Sequence, residues 1–232
     1  MIEAHIKEFS KHAHTYDSST PIQKEVAKYL VSRIEATHPS TIVDLGCGSG
    51  EIYRTIAFEC DHFIGIDHSE AMCALHPKNE KVHLICGNFE SPTLWQRFEQ
   101  PIDLLISSSA QQWAQNLEML FERIHLTCKE MAIAIFTDKT FETIYAMTHL
   151  PSFLPSAQSL IPLLQKHFTC QFELKTYRLP VTDTLSAFRY IKKSGVSGGQ
   201  KRLSVSQTRF LIEHYPLSYL EFEVLFVWGK PL

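Results

Sequence analysis

The stretch Val43-Asp44-Leu45-Gly46-Cys47-Gly48-Ser49-Gly50 is the most chemically suggestive in the chain: a short apolar run opens onto three glycines at alternate positions. Glycines so placed let a backbone turn tightly and come close to a ligand. The N–H groups that begin the next helix are then available to a polar or negative group. Asp67, seventeen residues after Gly50, closes the next apolar run in Gly65-Ile66-Asp67. A carboxylate there can accept two hydrogen bonds from a ribose diol. The loop does not have GxGxxG spacing, and the chain has no GxxxxGK[ST] phosphate loop. Asp44, an acid ahead of the first glycine, disfavours a diphosphate and suits the amino group of a sulfonium amino acid. These residues predict S-adenosylmethionine (SAM) as the ligand, not a dinucleotide.

Such a loop needs strands and helices to hold it. Pro21 to about Glu35 reads as a helix, with Ile22, Val26, Tyr29, Leu30 and Ile34 on one face and Pro21 in its first turn. Strands are predicted at Thr41–Leu45, His62–Ile66, Lys81–Cys86, Pro101–Ser107 and Met131–Phe136. Helices are predicted between them at Glu51–Glu59 and Ser69–Leu75, the latter with Ser69 as N-cap and Met72 facing inward. Trp113, Leu117, Leu120, Phe121 and Ile124 form a further helical stripe, read as core. Strand and helix alternating in this way predict a parallel sheet covered on both faces. Beyond it, helices are expected near Ser156–Lys166, Asp183–Lys193 and Ser204–His214, and strands near Cys170–Tyr177 and Tyr219–Trp228. Ser194–Gln200 is expected as a loop.

Composition narrows the rest. With 232 residues, 44% hydrophobic and 20% charged, the chain fits one α/β domain, or one domain with a small appended cap. A formal charge of −3 argues against general nucleic-acid binding, although Lys192, Lys193, Lys201, Arg202 and Arg209 gather in the last third. Cys47, Cys60, Cys73 and Cys86 fall thirteen residues apart but include no CxxC pair, and read as single buried thiols. His5, His12 and His14 cluster without an HExxH or a matching Cys/His set, so no metal is expected. The first residues have no apolar core like that of a signal peptide, and no apolar run nears the ~20 residues that span a bilayer. A soluble cytoplasmic protein without a membrane partner is the expectation.

Asp44 to Gly50 resembles the first motif of the class I SAM-dependent methyltransferases. That resemblance implies a Rossmann-like, doubly wound, mostly parallel seven-stranded sheet with a small helical cap. It implies a cofactor pocket drawn from Asp44, Gly46, Cys47, Gly48, Gly50, Asp67, His68, Met72, Asn88, Phe89, Ser107 and Ser108. Gly87-Asn88-Phe89-Glu90 should border the adenine, with Ser107 and Ser108 near the methionine part. Asn88 stands where the family frequently has an Asp, and its carbonyl can accept the same hydrogen bond from the adenine amino group.

Further segments resemble the malonyl-acyl-carrier-protein O-methyltransferases of biotin synthesis. They are Phe9 to Asp17 with Gln23, Ser108-Ser109-Ala110-Gln111-Gln112-Trp113, Phe153-Leu154-Pro155, Leu185 to Gly195, and Tyr215 to Tyr219, all in the family's order. This resemblance implies a single domain over 1–232. Segment 1–38, an insert at about 140–167 and helices over 183–215 would form the substrate-side cap. The implied acceptor is the free carboxylate of a malonyl thioester on an acyl-carrier protein, already ionised at neutral pH, so no general base is expected. Arg189 is the first candidate to hold that carboxylate with its two-pronged guanidinium, with Lys192 one helical turn on. Tyr16 would close over the methionine or malonyl end, and Gln112 would hydrogen-bond the substrate. Lys192, Lys193, Lys201 and Arg202 would steer the acidic carrier. Two other readings share the loop: a methyltransferase for another small carboxylic acid or amine, and a non-catalytic SAM-binding protein.

Overall fold

Ile42, Val43 and Leu45 are wholly buried along a run too short for a core helix, and Thr41–Leu45 forms strand β1. Four more strands extend the sheet in parallel: β2 (His62–Asp67), the half-buried edge strand β3 (Val82–Cys86), β4 (Ile102–Ser108) and β5 (Cys128–Phe136). Two thirteen-residue strands, β6 (Phe168–Pro180) and β7 (Tyr219–Pro231), complete a seven-stranded sheet of order β3-β2-β1-β4-β5-β7-β6. β7 runs antiparallel to both of its neighbours. The computed structural model describes residues 20–35, 38–193 and 203–232, without the side chains of Lys192 and Lys193. The loop expected over Ser194–Gln200 lies outside the described residues, as does most of the segment 1–38 expected in the cap.

Helices cover both faces. The helices are α1 (Pro21–Ser32), α2 (Glu51–Thr55), α3 (Glu70–Leu75), α4 (Pro92–Trp95), α5 (Leu117–Thr127), α6 (Glu142–Thr148), α7 (Ala157–Gln165), α8 (Thr184–Lys193) and α9 (Val205–His214). Side chains alternate across a strand. Ile42, Leu104 and Ile106 therefore meet Val26, Ala27 and Leu30 of α1 in one core cluster. Val43, Leu45 and Leu105 meet Leu120, Phe121 and Ile124 of α5, with Leu160 and Leu164 of α7, in the other. Within the segment expected to form the cap, α7 thus packs beneath the sheet. Ile144 of α6, Ala187 of α8 and Leu211 of α9 join the α1 side. The exposed edge strand β6 carries Glu173, Lys175 and Arg178, charges that discourage edge-to-edge pairing.

Several element limits differ from expectation. The helix begun at Glu51 stops at Thr55, because Ile56 turns extended (φ −63°, ψ 133°) and both Ile56 and Phe58 pack into the α1-side core. Trp113 is not part of the α5 stripe. It sits in a separate 3-10 turn, Gln111–Trp113, and α5 starts afresh where the Asn116 side chain accepts from the Met119 N–H. Trp113 instead stacks on Phe153, with ring centroids 5.6 Å apart. Helices α4 and α6 had no expected counterpart, and β6 runs longer than expected because β7 pairs with it from Phe168 to Pro180.

β1 lies between β2 and β4, so the strand order reverses beside it. In open α/β sheets, ligands bind beyond the carboxyl ends of the strands at such a point.

Candidate cofactor and acceptor site

The loop leaving β1 depends on glycine for two separate reasons. Gly46 has φ +76°, and a Cβ there would stand 2.2 Å from the Ala110 Cβ. Gly50 has φ +93°, and a Cβ there would stand 2.6 Å from Pro77. The loop is tied to β2, since the N–H groups of Gly46 and Cys47 both donate to the Ile66 carbonyl, at 2.7 and 3.1 Å.

Asp67 is held on both oxygens. The Gly48 N–H donates to Oδ2 at 2.9 Å and the Ser69 N–H to Oδ1 at 2.8 Å. Burial pushes its carboxyl above the usual range, and those backbone donors oppose the shift. Each oxygen keeps a lone pair, so this carboxylate is oriented by its own backbone and can still accept from a diol.

Asp44 is different. It is 0% exposed, and among the described residues neither carboxylate oxygen has a hydrogen-bond partner. Burial, followed by the nearby charge of Asp67, pushes its carboxyl well above the usual range. It alternates with Ile42 and so faces the α1 side of the sheet, as does Ser108 two residues beyond Ile106. A buried acid without a donor is costly unless something supplies one. An ammonium group answers that need.

The segment after β4 holds further unanswered groups. Among the described residues, the Ser108 and Ser109 hydroxyls, both atoms of the wholly buried Gln111 amide, and Gln112 Oε1 have no partner. Ser109 also adopts φ 60°, in the left-handed region. Gln112 Nε2 donates to the Ser109 carbonyl at 2.7 Å, so its remaining oxygen is fixed in place. Ser107 plays another part: its hydroxyl donates to the Leu45 carbonyl at 2.7 Å and ties β4 to β1.

The other expected residues take these positions. Met72 is buried, with its Cε 3.7 Å from where a Cβ on Gly48 would stand. Cys47 is buried, and a hydrogen bond with Cys73, together with burial, raises its thiol pKa. His68 is exposed at the end of β2, and its carbonyl accepts from the Cys86 thiol at 3.7 Å. Phe89 packs against the α5-side core, and its carbonyl accepts from Trp95 Nε1. Asn88 Oδ1, expected to face the adenine amino group, accepts from the Glu90 N–H at 2.8 Å. That bond uses one of the two lone pairs of the amide oxygen. Arg189 is exposed on α8, while its neighbour Tyr190 donates to Gln23 Oε1 on α1 at 3.3 Å. Tyr16, Lys201 and Arg202, and the side chains of Lys192 and Lys193, lie outside the described residues.

A cavity joins the loop to α1. Its walls include Thr20, Gln23 and Lys24 together with Gly46, Gly48 and Ser108. Thr20 and Lys24 were not among the expected site residues. Their signal was available, since 20, 23, 24 and 27 share one face of a helix by their spacing. Among the described residues, no three His, Cys, Asp or Glu side chains gather as a metal site, and no helix is long and apolar enough to cross a membrane.

Residues 42–131 match a family model described as "Methyltransferase domain". A malonyl-[acyl-carrier protein] O-methyltransferase of Priestia megaterium is 26% identical over 151 residues, which cover 60% of this chain and 54% of that protein. The chain thus spans little more than half the length of that relative. One of the same name from Enterobacter lignolyticus is 24% identical over 223 residues, 91% of this chain and 87% of the relative. The fold is similar to that of phosphoethanolamine N-methyltransferase 2 of Haemonchus contortus, solved with SAM. The TM-score is 0.59 at 16% identity, over 96% of this chain and 57% of that one. Over residues 42–131 the chain is thus similar to a methyltransferase domain, and its seven-stranded sheet has the Rossmann-like fold of the SAM-bound relative.

Proposed function

We propose that this protein methylates the free carboxylate of a malonyl thioester on an acyl-carrier protein, giving the methyl ester that primes pimeloyl synthesis for biotin. The observation that carries the SAM half is Asp44, whose two buried oxygens await a donor. Asp67, preset by Gly48 and Ser69, would hold the ribose diol. SAM when bound supplies an electrophilic methyl group whose bonding pair leaves with sulfur. The malonyl carboxylate is ionised at neutral pH, so the protein need not remove a proton. Its work is to align the carboxylate oxygen and to exclude water. Gln112 Oε1 and the Ser108 and Ser109 hydroxyls would line the acceptor side, with Tyr16 and Lys192 as expected partners. Arg189 would have to turn inward to reach the acceptor.

The malonyl acceptor rests on the five resembling segments and on the names of the two relatives. The carrier would meet Lys192, Lys193, Lys201 and Arg202. A free small acid or amine is the second reading, favoured by the exposure of Arg189, which leaves no arginine of the described residues in the cavity wall.

The test incubates the full chain with methyl-labelled SAM and, in parallel, malonyl-carrier protein, malonyl-CoA and free malonate. Base-labile label on the malonyl-carrier protein is expected. Label only on free malonate would replace the proposal with the small-acid reading, and label on none would sink it. Charge reversal of Lys193, Lys201 and Arg202 to Glu should cripple turnover on the carrier and spare turnover on malonyl-CoA.

A further inference from the structure

We infer that Lys24 is the cation that binds the carboxylate of the amino-acid end of SAM, opposite Asp44. The inference rests on the SAM reading and names a residue which that reading did not include. An amino-acid end carries two opposite charges. Asp44 offers two unanswered oxygens on the α1 side of the sheet, suited to the ammonium group. A carboxylate attached to the same carbon then needs donors close by, in the cavity bounded by the loop and α1.

Lys24 lines that cavity together with Gly46, Gly48 and Ser108. It is half-buried, and no carboxylate of the described residues forms an ion pair with it. Glu51, the acid in the same wall, is taken by Arg54 at 3.3 Å. Lys24 stands on the first turn of α1, its N–H donating to the Thr20 carbonyl at 3.2 Å. Pro21 has no N–H, so the Ile22 and Gln23 amides are the free donors there, and the positive end of the helix dipole adds to the lysine charge. Thr20, only 2% exposed, closes the same wall. The cavity therefore has a basic wall at Lys24, and Asp44 is buried behind its lining, on the α1 side of β1 between the lining residues Gly46 and Ser108 in the sheet.

The test compares two ligands that differ only at that end. S-adenosylhomocysteine keeps the amino acid, whereas 5′-methylthioadenosine has a methyl group in its place. Calorimetric titration of Lys24→Gln should give a homocysteine-ligand Kd raised about 10- to 100-fold, with the methylthioadenosine Kd unchanged. Lys24→Arg should retain most of the affinity. Lys24 is partly exposed, so circular dichroism should show both variants folded. Equal losses for both ligands, or no loss for either, would overturn the assignment. So would a raised KM for the malonyl acceptor with cofactor binding intact, since the lysine would then serve the acceptor carboxylate. If the unaltered protein bound neither ligand, the SAM reading would fall along with it.

Discussion

At the scale of single residues, Asp44 is the point where function and stability pull apart. Burial holds its carboxyl well above the usual range, so the folded chain resists an ionisation that the unfolded chain undergoes near its ordinary pKa. Folding stability contributed by this group is therefore lost as pH rises above the ordinary carboxylate range. Asp44→Asn should stabilise the ligand-free protein at about pH 8, and the gain should shrink towards zero by about pH 4. Urea denaturation across that range measures it. The same substitution should weaken S-adenosylhomocysteine about 10- to 100-fold, the loss expected of a charged hydrogen bond. Glycines of the region divide sharply. Gly46→Ala should cost roughly 2–4 kcal/mol, because it combines a left-handed φ with a clash against Ala110. Gly87→Ala, with nothing within 4 Å of its new Cβ, should melt like the parent. The sequence made Asp44 and Asp67 legible, because residue type and position after an apolar run are local facts. It could not reveal that Asp67 has both oxygens occupied by backbone N–H groups while Asp44 has none, since that difference depends on how β1, β2 and α1 come together. Nor could it reveal that the Asn88 side-chain oxygen accepts from the Glu90 N–H, two residues away.

At the scale of elements, helices capped by their own neighbours were legible, and those set from a distance were not. Ser69 caps α3 by accepting from the Met72 N–H, as its type predicts. Ser204 caps α9 in a complete box with Gln207. Ser204→Ala should cost about 1 kcal/mol, a drop of roughly 2–4 °C in melting temperature for a chain of this size. Differential scanning fluorimetry would resolve it, and Ser204→Asp should keep most of the stability. Helix α6 has no such local signal. Its start is set by Glu221 on β7, whose carboxylate accepts from both the N–H and the hydroxyl of Thr143. The premature stop of α2 has the same kind of origin, since Ile56 and Phe58 gain more from the core than from another helical turn. Strand β1 matched its predicted limits because a wholly buried run needs no distant partner to declare itself.

At the scale of the whole molecule, the site is a seam between α1 and the carboxyl ends of β1 and β4. A ligand bridging them should stiffen both sides together. Hydrogen exchange with S-adenosylhomocysteine present should slow over 20–27, 44–50 and 107–113 by local stiffening, while core amides of β7 slow only by the global stabilisation. At a hundredfold excess over Kd, binding should stabilise the fold by about 2.7 kcal/mol, roughly 5–10 °C in melting temperature. The placement of β7 has a consequence of a different kind. β5 finds one neighbour, β4, close by in the chain, but its other edge waits for β7, with Met131 meeting Gly229 and Phe136 meeting Val224. β6, made earlier, cannot join the sheet until β7 slots in between. A ribosome synthesising this chain would therefore hold out a half-built sheet, its β5 edge open from the time β5 emerges until β7 follows. Pairing over such separations is slow, so insertion of β7 should limit the folding rate, and β5 is the surface a chaperone would have to guard.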